Sequence, residues 1–335
     1  MTSQHAICTF PFESAQISMQ GDVYVCCPPW CNSFSFGNIF KQSFDEIWNG
    51  EKAKEFRRQF INENYNICSL DLCVKDCSHN IIPSETAPKP KTFIFCYDSM
   101  CNVKCIFCRS CHQKQDLTYF DENMDSIISC MLENAENVVL SGVGEAIASL
   151  HSRKLIMRIA ETFPNVKFSL ISNGVLCDRK NLEELGIINR LLSVTISMHA
   201  VKKQTYDKLV IGGNFERVMK NLEFLSELKK TGGLDRFILN FVVNAYNYNE
   251  MVSYIKMAEK LGATVGFLEL LKLETNEEVF DKLNIFDEKH PEYNNFVKVL
   301  KNPVFRSDIC TINDCMLNLK PIGFIKALKY KFSKL

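Results

Sequence analysis

Apolar positions along this chain change their period repeatedly, and each change marks an element. The run "KTFIFCY" (91–97) is short, apolar and β-prone, and predicts a strand; "FDENMDSIISCMLENA" spaces its apolar residues three and four apart and predicts a helix. The alternation continues with strands over 137–142 ("NVVLSG"), 166–172 ("VKFSLIS"), 191–198 ("LLSVTISM"), 236–244 ("RFILNFVVN") and 264–270 ("TVGFLEL"). Between them lie the helical stretches "SLHSRKLIMRIAETF", "NLEELG", "NFERVMKNLEFLSELKK" and "NEMVSYIKMAEKLG". Six strand–helix repeats predict a parallel sheet wrapped by helices, closed or partly closed as a barrel. Chemistry in such sheets sits on the loops that follow the strand C-termini.

Residues 1–80 follow a different pattern. A hairpin is predicted around Gly21-Asp22, then a turn and helix in "FGNIFKQSFDEIWNGEKAKEFRRQF", then the cysteine-rich close "NICSLDLCVKDC". Three prolines in "IIPSETAPKPKT" (81–92) read as a linker. The expected organisation is therefore a small domain over 1–80, a linker over 81–91, the barrel over 92–272 and a C-terminal extension over 273–335. The extension ends in "KPIGFIKALKYKFSKL", with five lysines, no acid and Ile325, Leu328, Phe332 and Leu335 at helical spacing. Such a tail either caps the barrel with a solvated lysine face or contacts an anionic membrane surface.

Charge and composition narrow the partners. Lys plus Arg and Asp plus Glu both number 39, so general nucleic-acid binding is not expected. An apolar fraction of 46% with 25 Phe suits an ordinary globular core. Neither a signal peptide nor an apolar run of membrane-spanning length is evident, which leads to the expectation of a cytoplasmic protein. Sixteen cysteines in such a chain point to reduced thiols serving metal or redox chemistry. They are bunched as ligands would be: seven between 8 and 77, five between 96 and 111.

The densest group is "CYDSMCNVKCIFCRSCHQ" (96–113), where Cys101, Cys105 and Cys108 stand in C-x3-C-x2-C spacing, on the loop after the first barrel strand. Structural zinc sites pair two separated C-x2-C knuckles, and no second knuckle is suitably placed. The bacterial ferredoxin run differs in order and lacks its final proline here. A packing role does not suit a loop that also carries Lys104, Arg109 and Ser110. A three-thiolate iron–sulfur site remains, with one iron of a cubane left open to an outside ligand. Cys111 is surplus to it, and Cys96 lies inside the strand.

On these residues the chain resembles the radical S-adenosylmethionine (radical SAM) enzymes, in which an aromatic such as Phe107 precedes the last cysteine. "LSGVGEA" resembles the family's Gly-Gly-Glu segment through Gly144 and Glu145; "LISNGVL" supplies Ser172 and Asn173; "SVTISMHA" supplies Ser197; "NFVVNAYNYNEM" supplies Asn244. The resemblance implies a partial (β/α)6 TIM-like barrel over roughly 91–272. It also implies a [4Fe–4S] cluster on Cys101, Cys105 and Cys108, with S-adenosylmethionine on the open iron. One electron then cleaves the sulfonium to methionine and a 5′-deoxyadenosyl radical. Phe107, Gly144, Glu145, Ser172, Asn173, Ser197 and Asn244 would contact that cofactor. Many relatives have Asp-Gly where this chain has His199-Ala200.

The N-terminal cysteines have their own logic. Cys8, Cys26, Cys68 and Cys73, with Cys27 and Cys77 as alternatives, converge if hairpin and helix fold back, and a unit this small commonly needs a metal. Gly21-x4-Cys26, "GNI" and "EIWNG" resemble the SPASM domain, an auxiliary iron–sulfur module that commonly follows the barrel and here precedes it. The resemblance implies one auxiliary [4Fe–4S] cluster. Zinc is its rival, and a second cluster completed by Cys310 and Cys315 is a further alternative. Arg109 and His199 are the candidate catalytic residues near the barrel mouth. Relatives with SPASM modules act mostly on ribosomal peptides, and another class acts on sugars or aminocyclitols. The expectation is a peptide-modifying enzyme supplied by flavodoxin or ferredoxin, with radical sugar chemistry and a non-catalytic electron carrier as alternatives.

Overall fold

The structure of the protein is a computed structural model that describes residues 7–26, 34–68, 77–78, 82–96, 98–108, 116–141, 144–272 and 277–312. Its first elements are β1 (Ile7–Cys8), α1 (Phe10–Glu13), β2 (Ser14–Ser18), β3 (Asp22–Tyr24), β4 (Gly37–Asn38), α2 (Phe44–Trp48), α3 (Glu51–Ile61) and β5 (Cys77–Ser78). There follow β6 (Thr92–Cys96), β7 (Lys104–Cys105), α4 (Thr118–Met131), β8 (Asn137–Leu140), α5 (Leu150–Thr162), β9 (Lys167–Ser172) and α6 (Arg179–Glu184). The remainder comprises β10 (Leu191–Ser197), α7 (Lys203–Leu209), β11 (Val210–Ile211), α8 (Phe215–Lys230), β12 (Leu234–Val243) and α9 (Met251–Leu261). The last elements are β13 (Thr264–Glu269), α10 (Glu277–Leu283), α11 (Tyr293–Leu300) and β14 (Cys310–Ile312). Each strand expected between 91 and 270 is present. Among the described residues no helix is long and apolar enough to cross a membrane.

The chain forms two compact units: residues 1–100, 113–169 and 185–190, and residues 101–112, 170–184 and 191–335. In the first unit, Gly21 turns the predicted hairpin at φ +81°, where a side chain would be strained and would also strike the Phe40 ring. Strand β2 pairs antiparallel with β3 on one side and parallel with β6 on the other, Ser14 opposite Thr92 and Ser18 opposite Cys96. The cysteine-rich N-terminal segment thus adds its hairpin to the first strand of the barrel series. Strand β6 pairs in parallel with β8 in turn. Ser14, Ala15, Gln16 and Ile17 are all buried, as expected of a strand covered on both faces.

Helices α2 and α3 close over this sheet. Ser43 and Glu46 form a reciprocal cap at the start of α2, their bonds measuring 2.9 and 3.3 Å. Trp48 stacks on Phe44, donates from Nε1 to the Pro88 carbonyl at 2.8 Å, and lies under the Arg57 guanidinium at 4.4 Å. Asn49 exchanges two bonds with Ala87, at 3.1 and 3.0 Å, and Arg57 donates to the Pro11 and Glu85 carbonyls. The proline-rich segment 85–88 is therefore bonded down onto α2 and α3. Burial lowers the Arg57 pKa to about 10, so it stays charged at neutral pH.

In the second unit β10, β12, β13 and β14 pair in parallel, through Leu191↔Leu234, Ile238↔Thr264 and Val265↔Cys310. The parallel series therefore continues beyond 272, with β14 drawn from the expected C-terminal extension. Cys310 is buried in that strand, its thiol pushed up to about 12 by burial, so it belongs to the sheet core. Cys315 and the basic tail lie outside the described residues. Phe237, Phe241 and Phe267 fill the layer beneath α8 and α9, and α9 stops at Gly262, whose φ of +68° a side chain would strain.

Replacing Trp48 by Phe keeps the ring stack but removes the donor to Pro88. Denaturant unfolding should show a loss of about 1–2 kcal/mol, and an unchanged midpoint would remove this bond from the account of how 85–88 is held.

Candidate functional site

The three motif cysteines lie on one short stretch of the second unit. Lys104 and Cys105 form β7, which pairs antiparallel with β11, Cys105 opposite Val210. Ile106 N–H donates to the Leu209 carbonyl at 3.0 Å, and Cys108 N–H donates back to Cys105 O at 3.0 Å. These bonds fix Cys105 and Cys108 on successive corners of one turn. Asn173, at the end of β9, donates from Nδ2 to Asn102 Oδ1 at 2.9 Å and reaches Cys101 Sγ at 3.7 Å. Its Oδ1 accepts from Val175 N–H at 3.0 Å, which sets the amide orientation.

Electrostatics report how tightly the thiols are gathered. Burial pushes the Cys105 thiol up to about 12, and Cys108 and Cys101 then add to the shift. Three thiolates in a desolvated loop repel one another, so at neutral pH the ligand-free loop holds at least Cys105 protonated. A cationic cluster reverses this by taking the thiolates and releasing their protons. Among the described residues no three His, Cys, Asp or Glu side chains close around a single-ion position. Three cysteine thiols on one short turn, with Cys105 feeling both Cys108 and Cys101, form the all-sulfur donor set that an iron–sulfur cluster takes, and the residues present fit that group.

In the first unit, the segment just before Cys101 is gripped by the Gly-Glu pair. Glu145 N–H donates to the Met100 carbonyl at 2.7 Å. A Cβ on Gly144 would lie 2.4 Å from Met100 O and 2.6 Å from Asp98 O, so only glycine lets the two backbones meet. The Ser149 hydroxyl donates to Asp98 Oδ2, and Asp98 Oδ1 accepts from Met100 N–H at 3.0 Å. Glu145 is buried.

The other expected site residues occupy strand ends of the second unit. Ser172 Oγ accepts from Gly174 N–H at 3.0 Å, and Ser197 ends β10 opposite Asn240. Asn244 is fully buried and its amide is committed to its own turn, donating to Val242 O and accepting from Tyr246 N–H. Phe107 meets His199 edge to face at 5.1 Å between centroids. His199 takes a φ of +63°, and its carbonyl accepts from Asn247 Nδ2 at 2.9 Å. Nδ1 accepts from Val242 N–H at 3.0 Å, which leaves the proton on Nε2. Burial lowers its pKa to about 4. His199 is thus a neutral Nε2–H donor at physiological pH, not a base through Nδ1. Arg109 lies outside the described residues.

Of the auxiliary candidates, Cys8 sits in β1 with Cys77 of β5 as its register partner. Cys26 follows the hairpin, and Cys68 N–H donates to Tyr65 O at 2.9 Å beyond α3. Cys27 and Cys73 lie outside the described residues. The elements that clamp the motif loop from behind, α7 and β11, carried no sequence reading as site residues. Their signal was the stretch "TYDKLVIGGNFERVMKNLEFL", which resembles the family but named no site residue.

Comparison with known proteins accords with this arrangement. A model of the SPASM iron–sulfur cluster-binding domain matches residues 8–78, and one of the radical SAM superfamily matches 99–258. The chain thus carries a radical SAM region over 99–258, preceded by an iron–sulfur-binding SPASM domain over 8–78. A radical SAM domain implies a [4Fe–4S] cluster with S-adenosylmethionine, and a SPASM domain implies auxiliary iron–sulfur binding. Among curated relatives, a probable GTP 3′,8-cyclase of Methanococcus maripaludis strain C5 is 26% identical over 181 residues, which is 52% of this chain and 57% of the relative. One from Saccharolobus islandicus is 25% identical over 177 residues, 52% of this chain and 54% of the relative. The chain thus spans little more than half the length of the curated relatives it matches. Streptococcus suis SuiB bound to S-adenosylmethionine superposes with a TM-score of 0.51 at 12% identity, over 82% of this chain and 58% of that one. That likeness is one of fold, the α/β partial barrel.

Two outcomes check this geometry. A folded pKa near 4 against about 6.5 unfolded means the unfolded chain binds the extra proton first. His199 should therefore contribute stability in full above pH 6.5 and lose it as pH falls toward 4, on the order of 3 kcal/mol in all. Denaturation of the wild type and His199→Gln from pH 4 to 8 should show that slope only in the wild type. Gly144→Ala must displace backbone oxygens and should cost about 1–3 kcal/mol, read in the same assay; a neutral result would refute the close approach.

Proposed function

We propose that this chain is a radical SAM/SPASM enzyme that cleaves S-adenosylmethionine reductively and begins its reaction by removing a hydrogen atom from an unactivated carbon. The observation that carries the proposal is the placing of Cys101, Cys105 and Cys108 on one short turn, where the desolvated Cys105 feels both Cys108 and Cys101. When bound, the cluster and nucleotide supply the radical chemistry. The chain's own residues hold and shield it. Cys101, Cys105 and Cys108 are the cluster ligands, and Asn173 orients toward the Cys101 sulfur. Phe107 and the neutral His199 pack edge to face beside the last ligand, with the His199 Nε2–H as the donor of that pair. Gly144 and the Glu145 N–H hold residues 98–100, which lead into the loop, and the family resemblance gives the Glu145 carboxylate the ammonium group of the nucleotide as its partner. Ser172 and Ser197 stand at neighbouring strand ends as polar contacts.

The auxiliary cluster is assigned to Cys8, Cys26, Cys68 and Cys73, with Cys27 and Cys77 as alternatives. A site closed by protein thiolates serves electron transfer, drawing on a flavodoxin or ferredoxin as the outside donor. A peptide is the favoured substrate, because the SPASM module marks the relatives that work on peptides. The GTP in the names of the curated relatives belongs to those proteins; a partial match at 26% identity supports shared chemistry and not a shared substrate.

Anaerobic reconstitution followed by dithionite and S-adenosylmethionine should yield 5′-deoxyadenosine and methionine. Cys105→Ala should abolish this and remove about four irons per chain, leaving about four. Clusters that assemble without cleaving the nucleotide would make the chain an electron carrier.

A further inference from the structure

One buried polar atom near the motif loop has no partner among the described residues. Tyr206, on α7, is fully buried, and its hydroxyl makes no hydrogen bond there. An unpaired buried hydroxyl is costly, so such a group in a well-packed site marks an acceptor that belongs there. The placement is specific. Helix α7 runs straight into β11, which pairs with β7 at Cys105, and the turn closes by Gly213 N–H donating to Val210 O at 3.1 Å. The hydroxyl points into that turn: a Cβ on Gly213 would lie 2.6 Å from it. Gly213 has no side chain, and the phenol fills the space that one would take.

The helix is held in register by Glu250. This buried carboxylate accepts from Val201 N–H at 2.7 Å and Lys202 N–H at 2.9 Å, and takes the Thr205 hydroxyl as well. Burial first, then the neighbouring Cys105 thiol, pushes the phenol above its ordinary range, so it remains a donor at any working pH. A purely packing role would be served as well by Phe.

We propose that the Tyr206 hydroxyl donates a hydrogen bond to sulfur at the Cys105 corner of the cluster, as a positioning residue that raises the cluster's reduction potential. The inference rests on the assignment of Cys105 as a ligand. Donors to cluster sulfur stabilise the reduced, more negative state and so shift the potential upward.

The test compares reconstituted wild type and Tyr206→Phe without nucleotide in an EPR-monitored redox titration. The relevant cluster is the one whose signal changes on later addition of S-adenosylmethionine. The Phe variant should be harder to reduce, its reduced-to-oxidised ratio at fixed potential falling several-fold; tenfold corresponds to about 59 mV for one electron. Gly213→Ala, which pushes the hydroxyl aside, should shift the potential the same way. Cluster-free protein provides a second readout, in which Tyr206→Phe should leave the unfolding midpoint unchanged or higher. A wild-type potential in both variants, or a lower midpoint in cluster-free Tyr206→Phe, would overturn the proposal. Failure of the wild type to bind a nucleotide-responsive cluster would instead count against the functional reading itself.

Discussion

Three thiols held close together away from water are an unstable arrangement for the bare chain. Ionised, they repel; neutral, they offer nothing to a metal. The 101–108 turn resolves this by leaving Cys105 protonated until a cation replaces its proton, so ligand geometry must be paid for by the surrounding backbone. That geometry comes from Leu209 and Val210 behind the turn and from Asn173 beside it. Removing any of these contacts loosens a constraint that the cysteines cannot impose on themselves.

The same dependence explains why so many polar side chains near the site are buried. Glu250 fixes the start of α7, Asn247 ties the 199 and 242 carbonyls, and Asn244 closes its own turn. In each case a loop after a parallel strand is frozen by a side chain that satisfies backbone groups water cannot reach. In the first unit the equivalent is the glycine contact of Gly144 with 98–100. The N-terminal hairpin adds rigidity there by pairing β2 along the whole of β6, the strand that leads into the cysteine loop. A module placed ahead of the barrel is thereby built into its sheet.

Much of this could be read from the sequence. The strands around Phe93, Val138, Phe168, Val194, Phe237 and Phe267 are apolar runs whose burial follows from their composition. The triad spacing and the Gly-Glu segment are local patterns that need no tertiary knowledge. Less legible were contacts between residues far apart in the chain. Ser14 beside Thr92, Cys105 opposite Val210 and Trp48 bonded to Pro88 depend on pairings that no periodicity encodes. Cys310 read as a possible ligand because its neighbour Cys315 made a motif-like pair; its place in β14 depends on that segment joining β13. His199 looked like a proton carrier, and only its burial beside Phe107 and its bond from Val242 make it a neutral donor.

Three cysteines, and not four, hold the cluster that takes the nucleotide. Mössbauer spectroscopy of iron-57-reconstituted protein, before and after S-adenosylmethionine is added without reductant, addresses this directly. One iron of the cluster should separate from the others in isomer shift and quadrupole splitting when the nucleotide binds. Spectra that stay unchanged on addition, with every iron in an all-sulfur environment, would contradict it.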